Sequence, residues 1–194
     1  MSVAQKEFDA NLKRFVDLVS KDPEEFMNLF TKSFIFSLPD WKEVSELLKK
    51  YHSYLREMNE FSGQLNVVQA ADFLQKNGKD RTAMQRKQEV TDIDLNHDNK
   101  IAFGEYLLLH YKKMILEDYY KRTGEKNPHD LSRDGVGVTG VGPELLSELF
   151  HIPSSLPPEL VAELDKFANM MREREAQIKS LSETAAKGDR KSVV

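Results

Sequence analysis

The chain has 194 residues, 40% hydrophobic and 31% charged, with a formal net charge of −4. That mixture describes one globular domain, or a domain with an appendage, and its small negative balance gives no footing for nucleic-acid binding. Cysteine is absent, which excludes disulfides, thiolate catalysis and cysteine-ligated zinc, and no apolar run approaches the roughly 18 residues of a membrane helix.

The opening, MSVAQKEF, lacks the apolar stretch of a signal peptide, and Ser2 stands where myristoylation requires glycine, so a cytoplasmic protein is expected. Residues Ser2 to Ser20 carry Phe8, Leu12, Phe15, Val16 and Val19 at helical spacing. Asp22 followed by Pro23 reads as an N-cap and first-turn proline, opening a second helix through Phe26, Leu29, Phe30 and Phe34. These phenylalanines are expected in the core. Pro39 and Asp40 begin a longer helix with Trp41, Val44, Leu47, Leu48, Tyr51 and Leu55 on its apolar side. The expected divisions are N-terminal helices over 1–40, paired helix–loop–helix units over 41–122, a connector over 123–157 and a charged amphipathic helix with its tail over 158–194.

Met58 to Gln69, MNEFSGQLNVVQ, has the length and turn pattern of a cation-binding loop without the ligands. Gly63 falls at position six and Leu65 at position eight, where such a loop needs a sharp turn and a bridging apolar residue. Met58 occupies position one and Gln69 position twelve, leaving Glu60 and Ser62 as the only oxygen side chains suited to ligation. We read this segment as a degenerate loop that supports a partner without binding metal. Val68 to Leu74 forms its exiting helix, stopped by Asn77 and Gly78.

The partner begins thirty-six residues later, after a helix from Thr82 to Val90. Asp94 to Glu105, DLNHDNKIAFGE, places Asp94, Asn96 and Asp98 at positions one, three and five, the Lys100 carbonyl at seven and Glu105 at twelve. A hard cation of calcium's size takes six to eight oxygens at about 2.3–2.6 Å, and an alternating loop closed by one bidentate glutamate supplies them. Ala102 at position nine cannot ligate, so a water is expected in that direction. Ile101 at position eight is the apolar bridge. Asn99 stands where glycine is usual at position six, and asparagine tolerates a left-handed backbone at small cost. The expected metal site is therefore Asp94, Asn96, Asp98, Lys100 and Glu105, taking Ca2+ in the sensor range, roughly 10⁻⁷–10⁻⁵ M.

Phe103 to Tyr120 is expected as one continuous exiting helix. After Arg122 the composition turns rich in glycine. Gly135, Gly137 and Gly140 spell GxGxxG, but no strand precedes them, so the dinucleotide reading is rejected. Asp130 to Val141 begins another thirty-six residues on and lacks the closing carboxylate, so an ordered or hinge-like loop is expected there rather than a metal site. Pro143 starts a short helix through Leu145, Leu146, Leu149 and Phe150.

Pro157 and Pro158 open a last helix expected to run to about Lys187, followed by an unfolded tail GDRKSVV. Leu160, Leu164, Phe167, Met171, Ile178 and Leu181 form a heptad seam interrupted at Arg174. Two readings stand: the seam lies in an intramolecular groove, or it faces a partner, including a second copy of the chain. Lys179, Lys187, Arg190 and Lys191 are either a basic surface for an acidic partner or ordinary solvated charge. The five histidines are scattered and no enzyme motif appears, so a non-enzyme is expected.

The segment MQRKQEVTDIDLNHDNKIAFGEYLLLHYKK resembles the calcium-binding segment of the calcium-regulated, EF-hand actin-bundling proteins of amoebae. The resemblance covers Gln85 to Lys113 well, and Leu160 to Glu183 more loosely. It implies an all-α fold with an EF-hand pair, one loop intact and one degenerate, and a cytoskeletal protein that binds or cross-links filamentous actin under calcium control. It also implies Asp94, Asn96, Asp98, Lys100 and Glu105 as the regulatory calcium site. The alternatives are a generic calcium sensor or buffer with another helical target, and a coiled-coil adaptor whose loop is vestigial.

Overall fold

Short polar caps set where most of these helices begin. Ser2 accepts the Gln5 amide at the start of α1 (Val3–Val19), and Asp22 accepts the Glu25 amide at the start of α2 (Pro23–Phe34). Asn66 and Thr82 form reciprocal capping boxes with Gln69 and Gln85, opening α4 (Val67–Asn77) and α5 (Ala83–Ile93). Between them lie α3 (Lys42–Glu57) and β1 (Leu65–Asn66); β2 (Lys100–Ile101), α6 (Phe103–His110), α7 (Lys112–Thr123), α8 (Gly142–Leu149) and α9 (Pro158–Lys191) come after. This computed structural model describes residues 2–191, and side chains as far as residue 188. The side chains of Arg190 and Lys191, and the last residues 192–194, lie outside the described part.

The fold is mostly helical, and among the described residues its only strands are β1 and β2, which pair antiparallel with Leu65 opposite Ile101 and Asn66 opposite Lys100. One contiguous core runs through the molecule, from Phe15 on α1 to Met171 on α9. Its centre is aromatic. Phe26, Phe30 and Phe34 line one face of α2 and meet Phe15 and Tyr111, while Tyr51, Phe73, Phe103 and Tyr106 form a second cluster beneath the strand pair. Such edge-to-face and tilted contacts add about 0.5–1.5 kcal/mol per pair beyond burial alone. Phe15, Phe26, Phe30 and Phe34 are core as expected, Phe8 packs partly buried against it, and Phe36 is exposed.

Gly104 decides how closely α6 approaches α2. A Cβ there would stand 2.3 Å from the Phe26 ring, so only glycine permits the contact. This is the junction between the paired loops and the N-terminal helices.

Two expected boundaries need correction. Phe103 to Tyr120 is not one helix: it bends at Tyr111 (φ −103°, ψ 13°), dividing α6 from α7. Helical bonds flank the bend, with the Tyr111 amide donating to Leu107 and the Ile115 amide to Tyr111, both at 3.0 Å. The Tyr111 ring packs on Phe30 and on His110, which anchors the bend and turns α7 onto α8. The last helix also passes the expected end at Lys187 and continues to Lys191, so the first residues of the supposed tail are helical.

The heptad seam of α9 resolves into two parts. Leu164, Ala168 and Met171 are buried, chiefly against α2, and Phe167 sets its ring edge-on to Trp41. Ion pairs fasten the same stretch: Asp165 with Lys32, Arg172 with Asp22 and Glu175 with Arg56. Beyond Ile178 the helix is exposed through residue 188, and Leu181 is 70% exposed. The intramolecular groove is real, and it holds only the first half of the seam.

Candidate metal centre

The loop between α5 and α6 is shaped by its own side chains. Asp94 caps the end of α5, and its two carboxylate oxygens accept the amides of Asp98 (3.1 Å) and Asn99 (3.0 Å). The Asn96 side-chain oxygen accepts the Asp98 amide, and Asp98 accepts the Lys100 amide at 2.8 Å. These bonds wind residues 94–100 into a tight coil in which the buried Asp94 and the exposed Asp98 both accept backbone amides of the loop. The coil requires left-handed backbone at His97 (φ 56°) and Asn99 (φ 59°). In the companion loop Gly63 holds the same sixth position at φ 76°. Asn99 thus takes the glycine conformation, as the tolerance of asparagine allows.

Glu105 comes from the first turn of α6. It is 1% exposed, and its oxygens accept the amides of Ala102 (2.8 Å) and Leu95 (3.2 Å). Burial pushes its pKa up to about 8, and the neighbouring carboxylates of Asp94 and Asp98 add to the rise against the opposing amide bonds. A fully buried carboxyl facing two other acids is costly to ionise unless a cation joins it.

The residues present fit a hard divalent cation. Their donors are oxygens only: three carboxylates, the Asn96 amide oxygen and the Lys100 carbonyl at the mouth of β2. Among the described residues no group of three or more His, Cys, Asp or Glu side chains forms a ready metal cluster. Asp94, Asp98 and Glu105 are of those types and do not converge into such a group here; Asn96 and the Lys100 carbonyl are the two expected donors of other types. His97, at position four, is exposed.

The companion loop closes on itself. Glu60 accepts both the amide and the hydroxyl of Ser62, and these bonds pull its pKa below the usual carboxylate value. Gln69 accepts the Asn66 amide at 2.9 Å, the place Glu105 takes with Ala102 in the 94–105 loop. A neutral amide therefore occupies the closing position, and no buried acid is left to be neutralised. The third acidic stretch is arranged differently again: Asp130 accepts the Ser132 amide and Asp134 pairs with Lys79 at 2.8 Å.

Tyr51 is a site residue that the sequence did not single out. Its hydroxyl lies 2.9 Å from the Ile101 carbonyl and 3.1 Å from the Gly63 carbonyl, fully buried beneath the strand pair and touching both loops. In the sequence it is one more apolar position on a helix, and only the fold reveals what its hydroxyl meets. Asp92 is the other: it accepts the Gly140 amide at 3.1 Å and tethers α5 to the glycine-rich loop. His52, without a sequence neighbour of opposite charge, meets Glu24 at 2.8 Å and Glu175 at 3.7 Å across helices.

No family model matches the chain, and no curated protein or solved structure matches it either.

Proposed function

We propose that the two helix–loop–helix units are an EF-hand pair, with Asp94–Glu105 binding calcium and Met58–Gln69 degenerate, and that the protein is a calcium-responsive actin-filament-binding protein of the cytoskeleton. One observation carries the calcium half: the buried Glu105 carboxyl faces Asp94 and Asp98 with no cationic side chain among its hydrogen-bond partners. Asp94, Asn96, Asp98, the Lys100 carbonyl and Glu105 would hold the ion. When bound, the ion would offset two of the three carboxylate charges and let the buried one ionise.

The positions of the ligands couple the loop to its helices. Glu105 lies on α6 and Asp94 at the end of α5, so drawing their carboxylates together changes the angle between those helices. Gly104 beside it abuts Phe26 of α2, and α2 carries most of the docking surface for α9. The angle of the loop helices is thereby linked through one tight contact to the seat of α9. By linkage, whatever partner binds α9 in one arrangement must alter calcium affinity by the same factor.

The actin half rests on the resemblance of Gln85 to Lys113 and of the charged α9. Seating of α9 on α2 buries one face of its first half, while residues 179–188 beyond Ile178 are exposed on every face. This favours a single filament contact per chain over cross-linking by one chain alone. Cosedimentation with filamentous actin, with calcium and with chelator, tests it: calcium-dependent pelleting is expected, and no pelleting under either condition removes actin. In that case a calcium sensor with another helical target remains. Among the described residues no helix is long and apolar enough to cross a membrane.

A further inference from the structure

One imidazole joins three helices. His52 projects from α3, and its side chain is 12% exposed. Its Nε2 lies 2.8 Å from a Glu24 carboxylate oxygen on α2, and its Nδ1 lies 3.7 Å from a Glu175 carboxylate oxygen on α9. Each ring nitrogen thus has a carboxylate of its own. An ionised carboxylate only accepts, and a neutral imidazole has one N–H to give. The neutral ring would set a bare nitrogen against a carboxylate on one side. The ring with both nitrogens protonated suits both sides and adds a positive charge between them.

Glu24 strengthens the demand. It is 3% exposed, and among the described residues the His52 ring is the one hydrogen-bond partner of its carboxylate. Arg172 of α9 lies within its field, but gives Nε and one terminal nitrogen to Asp22 at 3.0 and 2.9 Å, and the other to Asn169. A buried carboxylate is costly without a cation in contact, and the group placed to supply one is His52.

The other charged groups facing the ring are Lys49 and Arg56 on its own helix and Arg174 on α9. Lys49 pairs with Glu46 at 2.6 Å, and Arg56 shares Glu175 with the ring. These cations border a cavity of about 160 Å³ beside the ring, floored by Met171 and Ile178. One water needs roughly 10–15 Å³ of such space, so water has room to bring a proton to the ring or take one away. Ile178 is also the last described residue of α9 that is not exposed, so Glu175 stands where the helix leaves the body.

We infer that Glu24, His52 and Glu175 form a pH-sensitive clasp. With a proton on each ring nitrogen, His52 holds α9 to α2 and α3; loss of one proton to solvent loosens residues 172–178 and lengthens the free end of α9. Histidine is the side chain that ordinarily changes charge between about pH 5 and pH 8. The contribution of the clasp is present on the acid side of that change and is lost as pH rises through it. Arg56 still holds Glu175, and Leu164, Ala168 and the Asp165–Lys32 pair keep the first half seated, so α9 loosens at this end alone. None of these residues belongs to the 94–105 loop, so the clasp does not depend on the calcium reading.

The test is amide hydrogen exchange of the full chain under chelator at about pH 5.5 and about pH 8.5, corrected for intrinsic rates. The protonation of the His52 ring is followed alongside by its nitrogen-15 shifts. Both ring nitrogens are expected to be protonated at the lower pH and one at the higher. Protection over residues 172–178 is expected to fall about tenfold between them, while residues 164–168 keep theirs. His52→Gln retains a donor for Glu24 but cannot gain charge; it is expected to abolish the pH step and leave residues 172–178 weakly protected at both values. Glu175→Gln, at a half-buried position, guards against the case in which His52→Gln fails to fold. It keeps the ring on Glu24 and cuts the charged tie to α9, so the step should shrink while the rest of the fold stays protected. A His52 ring in one protonation state at both values, no step in the wild-type chain, or an unchanged step in either folded variant would overturn the inference.

Discussion

The Tyr51 hydroxyl lies 2.9 Å from the Ile101 carbonyl of β2, and only 3.1 Å from the Gly63 carbonyl of the degenerate loop. One buried phenol therefore ties the two loops beneath their strand pair. The Leu65–Ile101 pairing above it completes the tie. The 58–69 and 94–105 loops are thus held together from below as well as through their strands.

Tyr51→Phe is expected to lower stability by about 1–3 kcal/mol, because it removes the one O–H that the buried Ile101 carbonyl and the nearby Gly63 carbonyl share, while keeping the ring in place. It is also expected to weaken calcium binding without removing any ligand. Urea unfolding and a calcium titration on the same variant check both effects. Unchanged unfolding would mean that the hydroxyl contributes nothing to joining the loops.

Glu105→Gln is expected to act with opposite signs on two properties. Calcium binding is lost with the bidentate donor. The ion-free fold gains stability, since the amide can accept the Ala102 and Leu95 bonds without a buried charge. The pH dependence comes from the raised pKa of about 8. A carboxyl that titrates higher when folded than unfolded binds its proton more tightly in the fold. Its favourable contribution is full below the unfolded value and is lost as pH rises through about 8. Chelator-treated wild-type protein should accordingly lose stability between pH 5 and pH 9 on the order of the linkage effect, and the variant should lose less. Parallel curves would refute the assignment.

The acid side tests the seat of α9. Burial alone would raise the Asp22 carboxyl, but the Arg172 guanidinium and the Glu25 amide bring it below its ordinary value. Hydrogen bonds from Lys32 and Asn28 lower Asp165 in the same way. Groups with depressed folded values stabilise above the unfolded pKa, near 3.8, and that support disappears as pH falls through the folded value. Hydrogen exchange in α9 should rise at low pH before exchange in α3 and α6 does. Asp22→Asn, which cannot ionise, should raise α9 exchange already at neutral pH and leave a smaller rise at low pH.

Gly104→Ala is expected to cost about 1–3 kcal/mol, the range for overpacking a filled core, because the added methyl would stand 2.3 Å from the Phe26 ring. Combining it with Phe26→Leu should cost less than the separate effects added together, since both changes act on the same contact. Thermal unfolding of the single and double variants measures this. Strict additivity would place the two residues in independent environments.

What the sequence made legible was mostly local. Asp22 before Pro23, the Thr82–Gln85 box and the glycine after Asn77 are short-range signals, and the helices begin and end near them. The 94–105 loop was legible because its turns, donors and bridging residue lie within twelve positions, and the coil of hydrogen bonds closes there. The bend at Tyr111 was not legible, because it depends on Phe30, eighty-one positions away, and nothing in EYLLLHYKK interrupts the helical period. The seating of half the α9 seam was likewise hidden. Its ion pairs with Asp22, Lys32 and Arg56 join residues more than a hundred positions apart. The role of Tyr51 shares that origin, since the Ile101 carbonyl it meets lies fifty positions away.

Equilibrium dialysis of the full chain against calcium tests the central claim most directly, with the Glu105→Gln variant alongside. One ion per wild-type chain in the micromolar range, and none in the variant, is the predicted result. No uptake by the wild-type chain at millimolar calcium would contradict the account.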